Sequence, residues 1–160
     1  MPNDFYGLPL NPVIVHATVV IIPFTALTVG LYAVWPRFRV WSGPLPTVLS
    51  LIGAILVPLS TSTGETLERH VKETALLEKH TEMADALLPW MIAMLVLSAL
   101  GYALQRRSAQ GRDARKFLTT GIAVLAVAAA IGTTVQVGRI GHSGAKSAWE
   151  DTNMNSTSRQ

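Results

Sequence analysis

The chain of 160 residues contains no cysteine. Disulfide bonds, thiolate metal sites and haem held by thioether bonds are therefore excluded. The sequence also lacks an HExxH motif, a Glu-x-x-His motif and a phosphate-binding loop. No nucleophile–base arrangement or pair of catalytic acids can be recognised either. The chain is not expected to be a stand-alone enzyme.

Charged residues make up only 14% of the chain, and four long apolar runs contain none. Each run has roughly the 20 residues that an α-helix needs to cross a hydrocarbon core of about 30 Å. A soluble helix of this length would carry a charged stripe. The sequence predicts an all-α, integral-membrane four-helix bundle with spans at 13–35, 45–63, 86–104 and 117–138. Residues 1–149 form its single domain, and 150–160 form a polar, disordered tail.

Basic residues are absent from the segment MPNDFYGLPL that precedes the first run. A secretory signal would begin with positive charge, so we expect the first span to be retained. The two short loops at 36–44 and 105–116 hold Lys and Arg at higher density than the other side does. This density predicts cytoplasmic basic loops and both termini outside. Anionic lipid is the nearer partner of these charges, so nucleic acid is rejected despite a net charge of +3.

The loop between spans two and three is rich in helix formers and has apolar residues at a spacing of four. It predicts a short amphipathic helix on the outer surface. Ser62 and Glu65 match a capping box at its start. In the fourth span, Ala126 with Ala130 and Ala128 with Gly132 form small-xxx-small pairs. Such pairs favour close packing, within the bundle or against a second subunit.

A four-span topology brings all four histidines to one side of the membrane. His16 lies about one turn inside the first span, and His80 and His142 lie at the outer ends of spans three and four. Imidazole with carboxylate suits a non-haem metal, and two facing imidazoles suit haem b. We expect cofactor binding by His16, His80 and His142, with Glu65 as a further metal ligand. The alternatives are interfacial histidines bonded to neighbouring groups, a capping role for Glu65, and a solvated face for His70.

Three segments resemble a known family: GLPLNPVIVHATVVIIPFTAL, STGETLERHVKETALLEKHTEMAD and VGRIGHSGAKSAW. In order and over roughly residues 7 to 149 they resemble the bacterial family called domain of unknown function 2231, and the Gly-His-Ser-Gly-Ala ending is similar to its actinobacterial branch. The resemblance implies a four-span protein of the cytoplasmic membrane. Positions 16, 64, 65, 80, 141 and 142 match its motifs, whereas Asn11-Pro12 replaces its usual His-Pro pair. Some relatives carry a Rieske-type iron–sulfur domain, which implies electron transfer.

Two functions follow from these patterns, and a third is weaker. The first is a haem b or metal site near the outer face that serves electron transfer. The alternative is a cofactor-free accessory subunit that packs onto a larger membrane complex, such as a respiratory one, or onto copies of itself. A transporter is least favoured, because no ionisable residue lies near the bilayer midplane.

Overall fold

The computed structural model describes residues 4–5, 8–68, 82–111 and 116–149. Five helices are found there: α1 Leu10–Val34, α2 Pro36–Ser42, α3 Leu45–Glu68, α4 Leu87–Ala109 and α5 Lys116–Trp149. Residues 82–85 form a helical turn ahead of α4. Two-residue strands, β1 Asp4–Phe5 and β2 Leu8–Pro9, pair in antiparallel fashion before α1.

Four stretches of this described part are long and apolar enough to cross a membrane. They are Val13–Val34, Leu45–Thr63, Glu82–Ala109 and Lys116–Ala145. The prediction of an all-α, four-span architecture is confirmed. Many large apolar side chains point outward, as expected when lipid rather than water surrounds the bundle: Val20 is 68% exposed and Leu27 57%.

The four long helices form a square in which each packs on two neighbours. α1 contacts α3 and α5, α4 contacts the same two helices, and α1 barely touches α4 across the diagonal. Successive spans run in opposite directions, so the bundle has two distinct ends. We call the end that holds His16 and His142 the histidine end. The opposite end, with α2, Arg106 and Lys116, is the basic end.

Small residues on α5 let its neighbours approach closely. Ala126 and Ala130 are buried within the bundle, and a Cβ built on Gly30 of α1 would lie 3.9 Å from the Ala130 Cβ. The indole of Trp90 on α4 covers Gly132. Three of the four residues in the two predicted small-xxx-small pairs therefore pack inside the bundle: Ala126, Ala130 and Gly132.

Five buried hydroxyl groups of the long helices bond to their own helices. Each donates to a backbone carbonyl three or four residues earlier, because lipid supplies no alternative acceptor. These bonds are Thr25 to Ile21, Thr28 to Thr25, Ser50 to Pro46, Ser98 to Leu95 and Thr133 to Ala129. The polar atoms are thus satisfied without crossing between helices.

An aromatic row follows the first span. Pro36 begins α2 directly after the extended residue Trp35, and Phe38 lies between Trp35 and Trp41 with ring centroids 6.4 and 5.6 Å away. Gly43, at φ 52°, supplies the left-handed turn into α3. Indole rings prefer the membrane–water boundary, so this row marks the head-group level at the basic end.

Two local expectations differ from the structure. The capping box is wrong, because α3 continues to Glu68 and the Ser62 hydroxyl, inside that helix, donates to the Leu59 carbonyl. The last helix also extends beyond position 138, to Trp149. The amphipathic surface helix falls largely on 69–81 and the polar tail on 150–160, both outside the described residues.

Candidate functional site

Two of the expected site residues lie on described, exposed helix surfaces at the histidine end. His16 is in the early part of α1, and His142 is in the late part of α5. Glu65 is in α3, but its side chain is outside the described part, as is the whole of His80. For the latter two residues the metal-ligand assignment stays a prediction.

The packing of α1 on α5 sets the relative height of His16 and His142. Gly30 and Ala130 are opposite each other, and the helices are antiparallel. His16 is fourteen residues from Gly30, a rise of about 21 Å, and His142 is twelve residues from Ala130, a rise of about 18 Å. The two histidines therefore lie within about 3 Å of each other along the bundle axis.

Glu65 lies further out than His16. The Ile22 side chain is 3.9 Å from a Cβ built on Gly53, which aligns α1 with α3 at that level. Six residues lead from Ile22 to His16, and twelve lead from Gly53 to Glu65. At 1.5 Å per residue, the Glu65 backbone is about 9 Å beyond His16. The structure therefore aligns His16 with His142 more closely than it aligns the Glu65 backbone with either histidine.

A cavity of about 370 Å³ opens at the same end between all four long helices. Its walls are mostly apolar, with hydroxyl groups from Thr18, Ser60 and Thr61. The Thr18 hydroxyl donates to the Ile14 carbonyl at 2.8 Å, and that of Thr61 to the Pro58 carbonyl at 3.2 Å. Since these protons are engaged, both oxygens retain only the capacity to accept a hydrogen bond.

His16 and His142 flank this cavity without lining it. The cavity face of α1 is formed by Val15, Thr18, Val19 and Ile22, and at 100° per residue His16 is about 110° away from its middle. His142 is about 130° from the corresponding face of α5. Both histidines face outward: His16 lies close to the lipid side of the seam between α1 and α5, whereas His142 lies on the outer face of α5, about 120° from Ala130.

This placement limits the chemistry that the histidines can support. Within the described ranges, no three His, Cys, Asp or Glu side chains gather closely enough to hold a metal ion. A bulky ligand such as haem needs a pocket that buries most of its surface, and neither His16 nor His142 lines the cavity at this end. The arrangement therefore suits a small ion at the surface of the bundle better than a buried macrocycle.

A comparison with protein families supplies the identification. A family model described as "Predicted membrane protein (DUF2231)" matches residues 7–157. The chain belongs to this family. Comparisons with curated proteins and with solved structures gave no match. The membership confirms the expected family and supports a location in the lipid bilayer, while it names no ligand.

Sequence reasoning missed two polar contacts of this DUF2231 protein. At the histidine end, the buried Gln136 donates through Nε2 to the Met83 carbonyl at 2.8 Å, which ties α5 to the helical turn before α4. At the basic end, the Tyr32 hydroxyl donates to Gln105 Oε1 at 2.6 Å. The sequence shows Gln136 within a span and Gln105 at the end of one, where lipid offers no hydrogen-bond partner. Their partners, 53 and 73 residues away, carry no local signal.

Proposed function

We propose that the histidine end of this DUF2231 protein binds a transition-metal ion through the imidazoles of His16 and His142. The observation that carries the proposal is their matched height on two helices that pack directly together. Neutral imidazole is a common ligand of zinc, copper, iron and nickel. Electron transfer is part of the proposal only for copper or iron, because zinc has no accessible second oxidation state.

Further ligands complete the coordination sphere in this proposal. Two imidazoles leave two positions of a tetrahedral ion open. Glu65 and His80 are the candidates from the sequence, and water is the alternative for either.

Metal analysis on the purified full chain tests this function. We expect a stoichiometric metal ion after purification in neutral detergent. His16→Ala and His142→Ala should each weaken binding more than tenfold, because even the groups that support a ligand contribute tenfold to a hundredfold. Arg139→Ala is the matched control: this exposed residue lies three positions before His142 and should leave the metal content unchanged.

Absorption spectroscopy on the same samples, together with the identity of the metal, distinguishes haem, a non-haem redox metal and zinc. A Soret band that disappears in His16→Ala would restore haem as the ligand. Copper or iron without that band supports electron transfer by a non-haem centre, and zinc alone removes electron transfer. Wild-type protein that stays metal-free after reconstitution with each ion would refute the proposed function.

The accessory-subunit alternative has weaker support than the sequence suggested. Four small residues favoured contact with another chain. Ala126, Ala130 and Gly132 pack against neighbours within the bundle, whereas Ala128 is exposed. Recovery of a stable larger complex in mild detergent, together with metal-free protein, would favour this alternative over a metal site.

A further inference from the structure

The basic end contains a second polar site, built around Arg39 of α2. Its guanidinium lies over the ring of Tyr32, with 5.6 Å between Cζ and the ring centroid. Its Nε donates to the Tyr32 carbonyl at 3.0 Å, and Nη2 donates to the Ala33 carbonyl. Arg39 therefore caps the last turn of α1 and is held in one orientation.

The Arg39 guanidinium retains donors after these bonds. Arginine has five N–H groups, and two of them serve the α1 carbonyls. No acidic side chain in the described part of the chain pairs with Arg39. The sequence around the neighbouring loop is also poor in acids, since residues 106–116 contain five Lys or Arg and a single acid, Asp113. The net positive charge at the basic end therefore favours the binding of an anion.

Gln105 joins two cavities beside Arg39. Its Nε2 donates to the Arg39 carbonyl at 3.2 Å, and its Oε1 accepts from the Tyr32 hydroxyl. The first cavity, of about 170 Å³, is lined by Arg39 and Gln105, and the second, of about 340 Å³, by Gln105 and Arg106. Arg106 is held over the Tyr102 ring at 5.8 Å. Two positioned guanidinium groups thus flank one amide.

The walls of the first cavity change from polar to apolar. Ser108 and Thr119 lie with Arg39 toward the basic end. The wall nearer the bundle centre is mostly apolar, with Ser98 as its hydroxyl-bearing residue: Val29, Leu97, Ser98, Ile122, Ala123 and Ala126. A free inorganic anion would use only the polar part. A phospholipid uses both parts, since its phosphate and its acyl chain belong to one molecule.

The position of Arg39 matches the level of lipid phosphates. It lies two residues before Trp41 in the aromatic row of α2, beyond the last residue of α1. We propose that the cavities around Gln105 bind an anionic phospholipid, with its phosphate between Arg39 and Arg106 and part of an acyl chain against the apolar wall. Basic pockets between membrane helices are suited to such head groups.

The test compares two lipids on the full chain in neutral detergent. Short-chain phosphatidylglycerol should raise the Tm in a saturable way, and phosphatidylcholine with the same chains should raise it much less. Arg106→Gln should weaken the apparent affinity for phosphatidylglycerol about fivefold, the contribution of one basic residue near a lipid surface. Arg37→Gln is the matched control, because Arg37 is an exposed residue of the same end and lines neither cavity. It should change the affinity less than twofold.

Three results would overturn the proposal. Equal stabilisation by the two lipids would mean that the net negative charge of the head group is not recognised. Equal losses in Arg106→Gln and Arg37→Gln would mean that only bulk charge acts. Inorganic phosphate that reproduces the effect of phosphatidylglycerol would replace the lipid with a soluble anion. The unliganded Tm of each variant is measured first, so that a folding defect is separated from lost binding.

Discussion

The contact between Gly132 and Trp90 leads to a prediction with a matched control on the same helix. A Cβ at Gly132 would meet three atoms of the Trp90 ring, the most distant of them at 2.7 Å. Carbon atoms pack best at about 3.5–4.0 Å, so the indole must withdraw by about 1 Å or more. Trp90 is 38% exposed, which leaves lipid-side space for that movement at the expense of its packing.

The two effects of Gly132→Ala oppose each other. Overpacking of this kind costs about 1–3 kcal/mol, and the better helix propensity of alanine returns about 1 kcal/mol. The net loss of unfolding free energy should be about 0–2 kcal/mol. Gly138, six residues further along α5, has nothing within 4 Å of a built Cβ. Gly138→Ala should therefore gain up to about 1 kcal/mol.

The informative quantity is the difference between the two variants, about 1–3 kcal/mol. Equilibrium unfolding in mixed micelles, followed by circular dichroism, measures it under one condition. Trp90→Leu should remove most of the difference, because the double-mutant cycle then lacks the ring that the new methyl group meets. Equal stabilities of Gly132→Ala and Gly138→Ala would refute the packing described for α4 and α5.

Three further predictions follow. Ser42→Ala should be neutral or stabilising in the same unfolding assay, because the Ser42 Oγ is buried with no hydrogen-bond partner; a loss above about 1 kcal/mol would contradict this reasoning. Tyr32→Phe should cost about 1–3 kcal/mol, since it removes the bond to Gln105 and leaves the amide oxygen unsatisfied; an unchanged stability would show that water replaces the bond. Single cysteines at the exposed positions Arg37 and His142 should react with an impermeant maleimide from opposite faces of the membrane, in a chain with no cysteine of its own; labelling from one face would refute the four-span topology.

The spans could be predicted from sequence because lipid imposes a simple rule on composition. The predicted second span, 45–63, coincides with the apolar stretch Leu45–Thr63 of α3. The local motif at Ser62 failed because a capping box competes with helix continuation, and α3 continues through it to Glu68. Short-range patterns therefore gave the membrane crossings more reliably than the helix ends.

The candidate sites depend on rotation and register, which a single helix does not encode. The common height of His16 and His142 could be predicted from span length alone. Their direction, away from the cavity, depends on which face of α1 meets α5, and Gly30 reveals that face only through its contact with Ala130. The Arg39 hydrogen-bond network joins residues from α1, α2 and α4, so no local sequence motif predicts it.

The length of α5 has a consequence for the surface that this protein presents. Its 34 residues correspond to a rod of about 51 Å, whereas the hydrocarbon layer is about 30 Å thick. About 20 Å of uninterrupted helix must therefore stand in the head-group region and the aqueous phase. On the histidine side, the late part of α5 and the end of α3 therefore both belong to the surface that an approaching macromolecule meets.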